Sequence, residues 1–231
     1  MFEDKQIPEV IMSHDVHNNF IDEPLVEVTD SSKIKIKMMY PLLGMQNGFD
    51  RCFLRKTVKE MLEKASSSLP EGYQFLIWDT WRPFSLQKEL FTSYSKDIIQ
   101  MFHLEDMKEP ELTQFISQYV ADPVPNREFP PAHTTGSAID LTVLKDGKEL
   151  DFGTGFDSFS DKTNTIWYEQ HPNENQEILE NRRFLYWTMI NAGFTNIPSE
   201  WWHYEYGNQN YSKVTGKDAL YKGIFEKEEF L

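Results

Sequence analysis

Alternation of polar and apolar positions marks the first element of the chain. In "KIKIKMMY" (33–40) Lys alternates with Ile before two Met, the pattern of a half-buried strand. The period then lengthens. Over "FDRCFLRKTVKEMLEKASSSLP" (49–70), Cys52, Leu54, Val58, Met61, Leu62 and Ala65 share one stripe of an amphipathic helix, which Pro70 ends. "YQFLIWDTW" (73–81) is a continuous apolar run of strand length. After Pro83, "SLQKELFTSYSKDIIQMF" (85–102) predicts a second helix. Residues 103–132 are acidic and then proline-rich, which predicts a short helix near 110–120 and an ordered loop. "SAIDLTVL" (137–144) predicts a strand, and Asp146-Gly147 a hairpin turn after it. Residues 151–175 read as loop-rich, 175–193 as a helix stopped by Gly193, and "EWWHYEY" (200–206) as an aromatic strand. Residues 1–30, broken by Pro8 and Pro24, read as irregular. This mixture predicts an α+β fold, a small and mainly antiparallel sheet with flanking helices.

Composition narrows the function classes. The 231 residues hold no internal repeat, so one domain spanning 1–231 is expected. A net charge of −14 argues against nucleic acid and anionic membrane surfaces as partners, because both are polyanions. The single cysteine, Cys52, excludes an intrachain disulfide. The opening "MFEDKQIPEVIMSHD" has neither a basic nor a long apolar region of the kind that directs export, so a cytoplasmic location is expected.

Candidate chemistry begins in the strand at 137–144. Ile139, Leu141 and Val143 share one face, and Asp140 shares the other with Ala138 and Thr142. Taken alone, Asp140 is more simply a solvated strand carboxylate. In "EWWHYEYG", Glu200 and His203 stand three apart, and on a regular strand such positions face opposite ways. For both to reach one site, Glu200 has to sit in the turn entering the strand. Taken alone, this segment reads as a packed aromatic strand with a hydrogen-bonded histidine. Together with His133, the pieces change meaning. His133, Asp140 and His203 offer two neutral nitrogens and one carboxylate, a set that suits Zn²⁺ on the sheet face with a fourth position left for water. Glu200 beside them suits a general base for that water. Arg82, emerging from the end of a buried strand before Pro83, suits an oxyanion partner, although a surface arginine explains it equally well in isolation.

These residues fall in motifs that resemble a known family, the VanX-type D-alanyl-D-alanine dipeptidases, which share a superfamily with zinc D,D-carboxypeptidases. The family pattern SxHxxGxAxD, followed about 60 residues later by ExxH, is matched by "PAHTTGSAID" and "EWWH". The resemblance extends to "CFLRKTVKEML", "IWDTWRPFSLQ", "FGTGFDSFSD" and "NAGF", from about residue 16 to about 206, with inserted or variable material at about 103–130. It implies one zinc ion per chain held by His133, Asp140 and His203. It also implies Glu200 as catalytic base, Arg82 as transition-state stabiliser and Asp157 of "FDSF" near the substrate's free amino group. By itself Asp157 reads as an Asx-turn residue in a Gly-rich loop.

The implied activity is hydrolysis of a small D,D-dipeptide, D-Ala-D-Ala, by metal-activated water. One position departs from the pattern: Pro131 stands where the family has Ser, which puts the substrate in question but not the metal. Two alternatives stay open, a cell-wall D,D- or L,D-carboxypeptidase with the same zinc core and a non-catalytic zinc-binding relative. The choice between a monomer and a homodimer is open as well.

Overall fold

A computed structural model describes residues 2–231. Its elements are β1 (Leu25–Val28), β2 (Ile34–Ile36), α1 (Met39–Leu42), β3 (Cys52–Arg55), α2 (Lys56–Ser67), β4 (Tyr73–Asp79), α3 (Phe84–Phe102), α4 (Glu111–Ile116), β5 (Ala138–Lys145), β6 (Lys148–Glu149), α5 (Trp167–Gln170), α6 (Gln176–Ala192), β7 (Thr195–Ile197), β8 (Glu200–Glu205) and α7 (Gln209–Thr215). The fold is mixed α+β. The main sheet runs in the order β2-β4-β5-β8-β7, with β6 returning on β5. Its pairs are antiparallel except β2 with β4.

The β5 pattern explains how the layers form. Ile139, Leu141 and Val143 are wholly buried in the main core, with Leu62 of α2 and Met189 of α6. Truncating Ile139 or Leu141 to Ala costs about 2–5 kcal/mol, because the neighbouring elements can close only part of the cavity. Neither face of β5 is solvated: Ala138, Asp140 and Thr142 on the second face are buried too. A second apolar cluster joins α3 to α4 through Leu86, Leu90, Ile98, Ile116 and Val120, and holds residues 111–120 against α3. The Asp146-Gly147 turn has positive φ at both residues (52° and 78°), as a two-residue type I′ hairpin requires.

Two expectations need correction. The helix expected over 49–70 begins only at Lys56, since Cys52–Arg55 is a strand paired antiparallel with Leu25–Val28. Cys52 and Leu54 happen to extend the spacing of the helical stripe, but all four residues of that segment are buried, and apolar periodicity cannot separate a short buried strand from a helical turn. The same pairing places a strand within residues 1–30, expected to be irregular. Gly136, with φ 72°, sits under this ribbon. A Cβ there would lie 2.2 Å from Leu25 Cδ2, so the bend between His133 and Asp140 needs glycine.

Candidate metal centre and active-site cavity

Three neighbouring strands set the frame. In register, Asp79 at the end of β4 faces Asp140 of β5, and Asp140 faces His203 of β8. Directly opposed like charges are unfavourable in a sheet, and both aspartates are buried. The row therefore demands positive charge nearby. The 3₁₀ turn Ala132–Thr135, entered through Pro131, brings His133 over the row.

His133, Asp140 and His203 converge. His133 Nε2 lies 3.2 Å from His203 Nδ1 and 3.3 Å from Asp140 Oδ2, and His203 Nδ1 lies 3.1 Å from Asp140 Oδ1. Ligands about 2.0–2.2 Å from a tetrahedral ion stand roughly 3.3 Å apart, so the spacing suits a shared cation. The far sides of the rings agree. His133 Nδ1 is 2.8 Å from the Thr80 carbonyl, and His203 Nε2 is 3.2 Å from Glu205 Oε2. Both partners only accept, so those nitrogens donate, and the lone pairs of His133 Nε2 and His203 Nδ1 face each other beside a carboxylate. Such an arrangement is repulsive without a positive charge among the three atoms. Burial disfavours the His203 imidazolium, but hydrogen bonds to Asp140 and Glu205 outweigh it and hold His203 well above its ordinary value. Burial likewise works to raise Asp140, and His133 and His203 overcome it and hold the carboxyl well below the usual range. The trio is a candidate metal-binding group whose donors fit zinc.

Glu200 reaches this site through an irregularity in β8. Asn196 pairs with Tyr204 and Ile197 with Glu200, so residues 201–203 bulge from the ladder. The Asn196 amide bridges the bulge, donating to the carbonyls of Glu200 (2.9 Å) and His203 (2.7 Å). The result places Glu200 Oε2 3.8 Å from His203 Nδ1, with 24% of its side chain still exposed. Glu200 is the first residue of the strand, and the bulge takes the part that sequence reasoning assigned to an entry turn. Burial pushes its carboxyl up to about 8, assisted by Asp140 and Asp157 and opposed by His203 and Arg82. A divalent cation on the trio would draw it back down.

Arg82 is not at the surface. Its Nε and Nη2 donate to Asp79 Oδ2 (3.0 and 2.8 Å), Nη2 also to Tyr40 Oη (2.9 Å), and Nη1 to Gln87 Oε1 (2.7 Å). A guanidinium has five donors, so one Nη1 proton is left over. Nη2 stands 3.9 Å from Asp140 Oδ2. Asp157, with φ 51°, accepts from Tyr94 Oη at 2.7 Å. Burial raises its carboxyl to about 6, against the lowering effect of Arg82.

His133, Asp140, His203, Glu200, Arg82 and Asp157 all line one cavity of about 250 Å³, with Pro131 in its wall. Residues 117–121 line it too, and Gln87 Nε2 ties the Ala121 carbonyl (2.7 Å) to the amide that holds Arg82. A second cleft of about 220 Å³, which shares Asp157 and Glu200, continues past Phe159.

The family model described as D-ala-D-ala dipeptidase matches residues 41–218. The chain belongs to this family. It is a peptidase, and it resembles curated D-alanyl-D-alanine dipeptidases from three bacteria. It is 30% identical over 172 residues to that of Synechocystis sp., covering 68% of this chain and 70% of the relative. Identity is 31% over 157 residues to that of Escherichia coli, 67% of each chain. It is 28% over 156 residues to that of Enterococcus faecium, 66% of this chain and 72% of the relative.

Sequence reasoning missed several residues of this dipeptidase family member's cavity. Asp79, Gln87, Tyr40 and Tyr94 position Arg82 and Asp157, and Glu205 holds His203. Two carried a signal. Asp79 stands three residues before Arg82, and Glu205 two after His203, hence on the same face of a strand. No helix among the described residues is long and apolar enough to cross a membrane.

Proposed function

We propose that the protein is a zinc-dependent D-Ala-D-Ala dipeptidase in which His133, Asp140 and His203 hold the ion. The observation that supports this most is the convergence of three donor atoms, 3.1–3.3 Å apart, with the remaining nitrogen of each ring committed as a donor. When bound, the ion supplies a Lewis acid for the scissile carbonyl and lowers the pKa of a water. Glu200 takes the proton of the attacking water on a carboxylate oxygen and returns it to the leaving amine nitrogen. Arg82, clamped by Asp79, Tyr40 and Gln87 in the cavity wall, offers its spare Nη1 proton to the tetrahedral oxyanion. Asp157 pairs with the substrate ammonium and favours a free amino terminus.

The size of the cavity supports a small substrate. The metal-side cavity alone, at about 250 Å³, lies below the roughly 300–1,000 Å³ of pockets that hold drug-sized ligands, and the adjoining cleft adds room on the Phe159 side. Pro131 has no N–H and no hydroxyl, so it offers a substrate no hydrogen-bond donor, and any donor must come from other groups in the wall.

Comparing kcat/KM for D-Ala-D-Ala, L-Ala-L-Ala and N-acetyl-D-Ala-D-Ala tests this reading. D-Ala-D-Ala should lead, and acetylation should lower kcat/KM by at least ~10²-fold, the lower end of what an unpartnered buried carboxylate costs. Equal rates with and without the acetyl group would favour a carboxypeptidase. A second expectation concerns Arg82. Arg82→Lys keeps the charge but loses the planar fork, so kcat should fall by about 10²-fold while KM changes little. Steady-state kinetics on the metal-loaded variant checks this, and a rise in KM at unchanged kcat would make Arg82 a substrate anchor instead.

A further inference from the structure

We infer that Glu205 is a positioning residue for the metal centre: its carboxylate locks the His203 ring with Nδ1 toward the ion, and its charge completes the balance of a divalent cation. This rests on the metal reading above and adds a residue to it. Glu205 is wholly buried at the end of β8, on the same face as His203. Its Oε2 accepts from His203 Nε2 (3.2 Å), Asn208 Nδ2 (2.7 Å) and Asn210 Nδ2 (3.4 Å). The other oxygen, Oε1, has no hydrogen-bond partner among the described residues.

The orientation of this chain of bonds is determined from its outer end. Asn208 Oδ1 accepts from the Tyr211 N–H (2.9 Å), so the Asn208 amide must turn its NH₂ toward Glu205. Glu205 in turn can only accept from the ring, which places the His203 proton on Nε2 and the lone pair on Nδ1. The backbone of α7 therefore sets the tautomer of a metal ligand two residues from a buried carboxylate.

Charge gives the second argument. Asp79 is paired with Arg82 at 2.8 Å. Asp140, which also faces His133 at 3.3 Å and Arg82 Nη2 at 3.9 Å, lies on one side of the His203 ring and Glu205 on the other, and no arginine or lysine lies within ion-pair distance of Glu205 among the described residues. A dipositive ion on Nδ1 neutralises the two carboxylates together. Hydrogen bonding alone needs only a neutral acceptor, so a carboxylate here points to the ion. Outer partners of this kind are worth 10–100-fold in metal affinity.

Zinc affinity measured by competition with a chromophoric chelator, on wild type and Glu205→Gln, tests the inference. The variant should bind zinc 10–100-fold more weakly, with a faster release to excess chelator. Equal affinity in the two proteins would overturn it, even if the metal-free variant melts at a lower temperature, since that pattern belongs to a purely structural residue. Nitrogen NMR of histidine-labelled, zinc-loaded wild type needs no variant to fold. It should show His203 protonated at Nε2 and metallated at Nδ1, and the reverse assignment would also overturn the inference. Wild type that takes up no zinc would overturn the metal reading itself, and this inference with it.

Discussion

Glu200→Gln should lower kcat on D-Ala-D-Ala by about 10²–10⁴-fold while the protein keeps its metal. The carboxylate is beside the trio rather than in it: Oε2 is 3.8 Å from His203 Nδ1, whereas the three converging atoms are 3.1–3.3 Å apart. Glutamine has the same shape, keeps one acceptor oxygen and loses the proton affinity a base needs. The side chain is half-buried and lines both the main cavity and the neighbouring cleft, so the isosteric change should leave folding intact. Metal analysis and steady-state kinetics on one sample separate the two effects. A variant with near wild-type kcat would remove Glu200 from the chemistry, and one purified without metal would make it a ligand.

Asp140→Asn should do the opposite, losing the metal first and the activity as a consequence. Asp140 is 2% exposed and faces both rings through separate oxygens. Its carboxylate is held ionised by His133 and His203 against the effect of burial, so it is charged whenever the site is formed. Asparagine removes that charge and turns one oxygen into an N–H donor pointed at a ring nitrogen that has only a lone pair to offer a metal. Zinc affinity should fall by more than the ~10–100-fold associated with outer partners of a metal site. Excess zinc in the assay should restore part of the rate, since the base and Arg82 remain. A variant that retains a full equivalent of tightly bound zinc would contradict the ligand assignment.

How far the sequence could carry this picture depended on the kind of physics involved. Residue type and spacing made His133, Asp140 and His203 a candidate set only in combination, since each has a plainer reading alone, and the structure brings the three together. The placement of Glu200 was only half legible. Strand periodicity says that positions three apart face opposite ways, and the bulge at 201–203 that brings Glu200 and His203 together depends on Asn196, whose amide holds both carbonyls. Asp79 was hidden for another reason. Within "WDTW" it reads as the end of a buried strand, and its role appears only when β5 is laid beside β4. The segment Cys52–Arg55 misled because apolar spacing reports which residues are buried and not which backbone buries them. Residues 117–121 carry no motif, and only their packing against α3 turns them toward the cavity.

The most direct test of the central claim is metal removal and return on the wild-type protein. After dialysis against a chelator, D-Ala-D-Ala hydrolysis should be lost, and the far-ultraviolet circular dichroism should be unchanged, since the sheet core does not depend on the ion. Titration with zinc should restore the rate linearly and break at one equivalent per chain. Full activity in protein shown by mass spectrometry to hold no metal, or a break at a different stoichiometry, would contradict a single catalytic zinc on His133, Asp140 and His203.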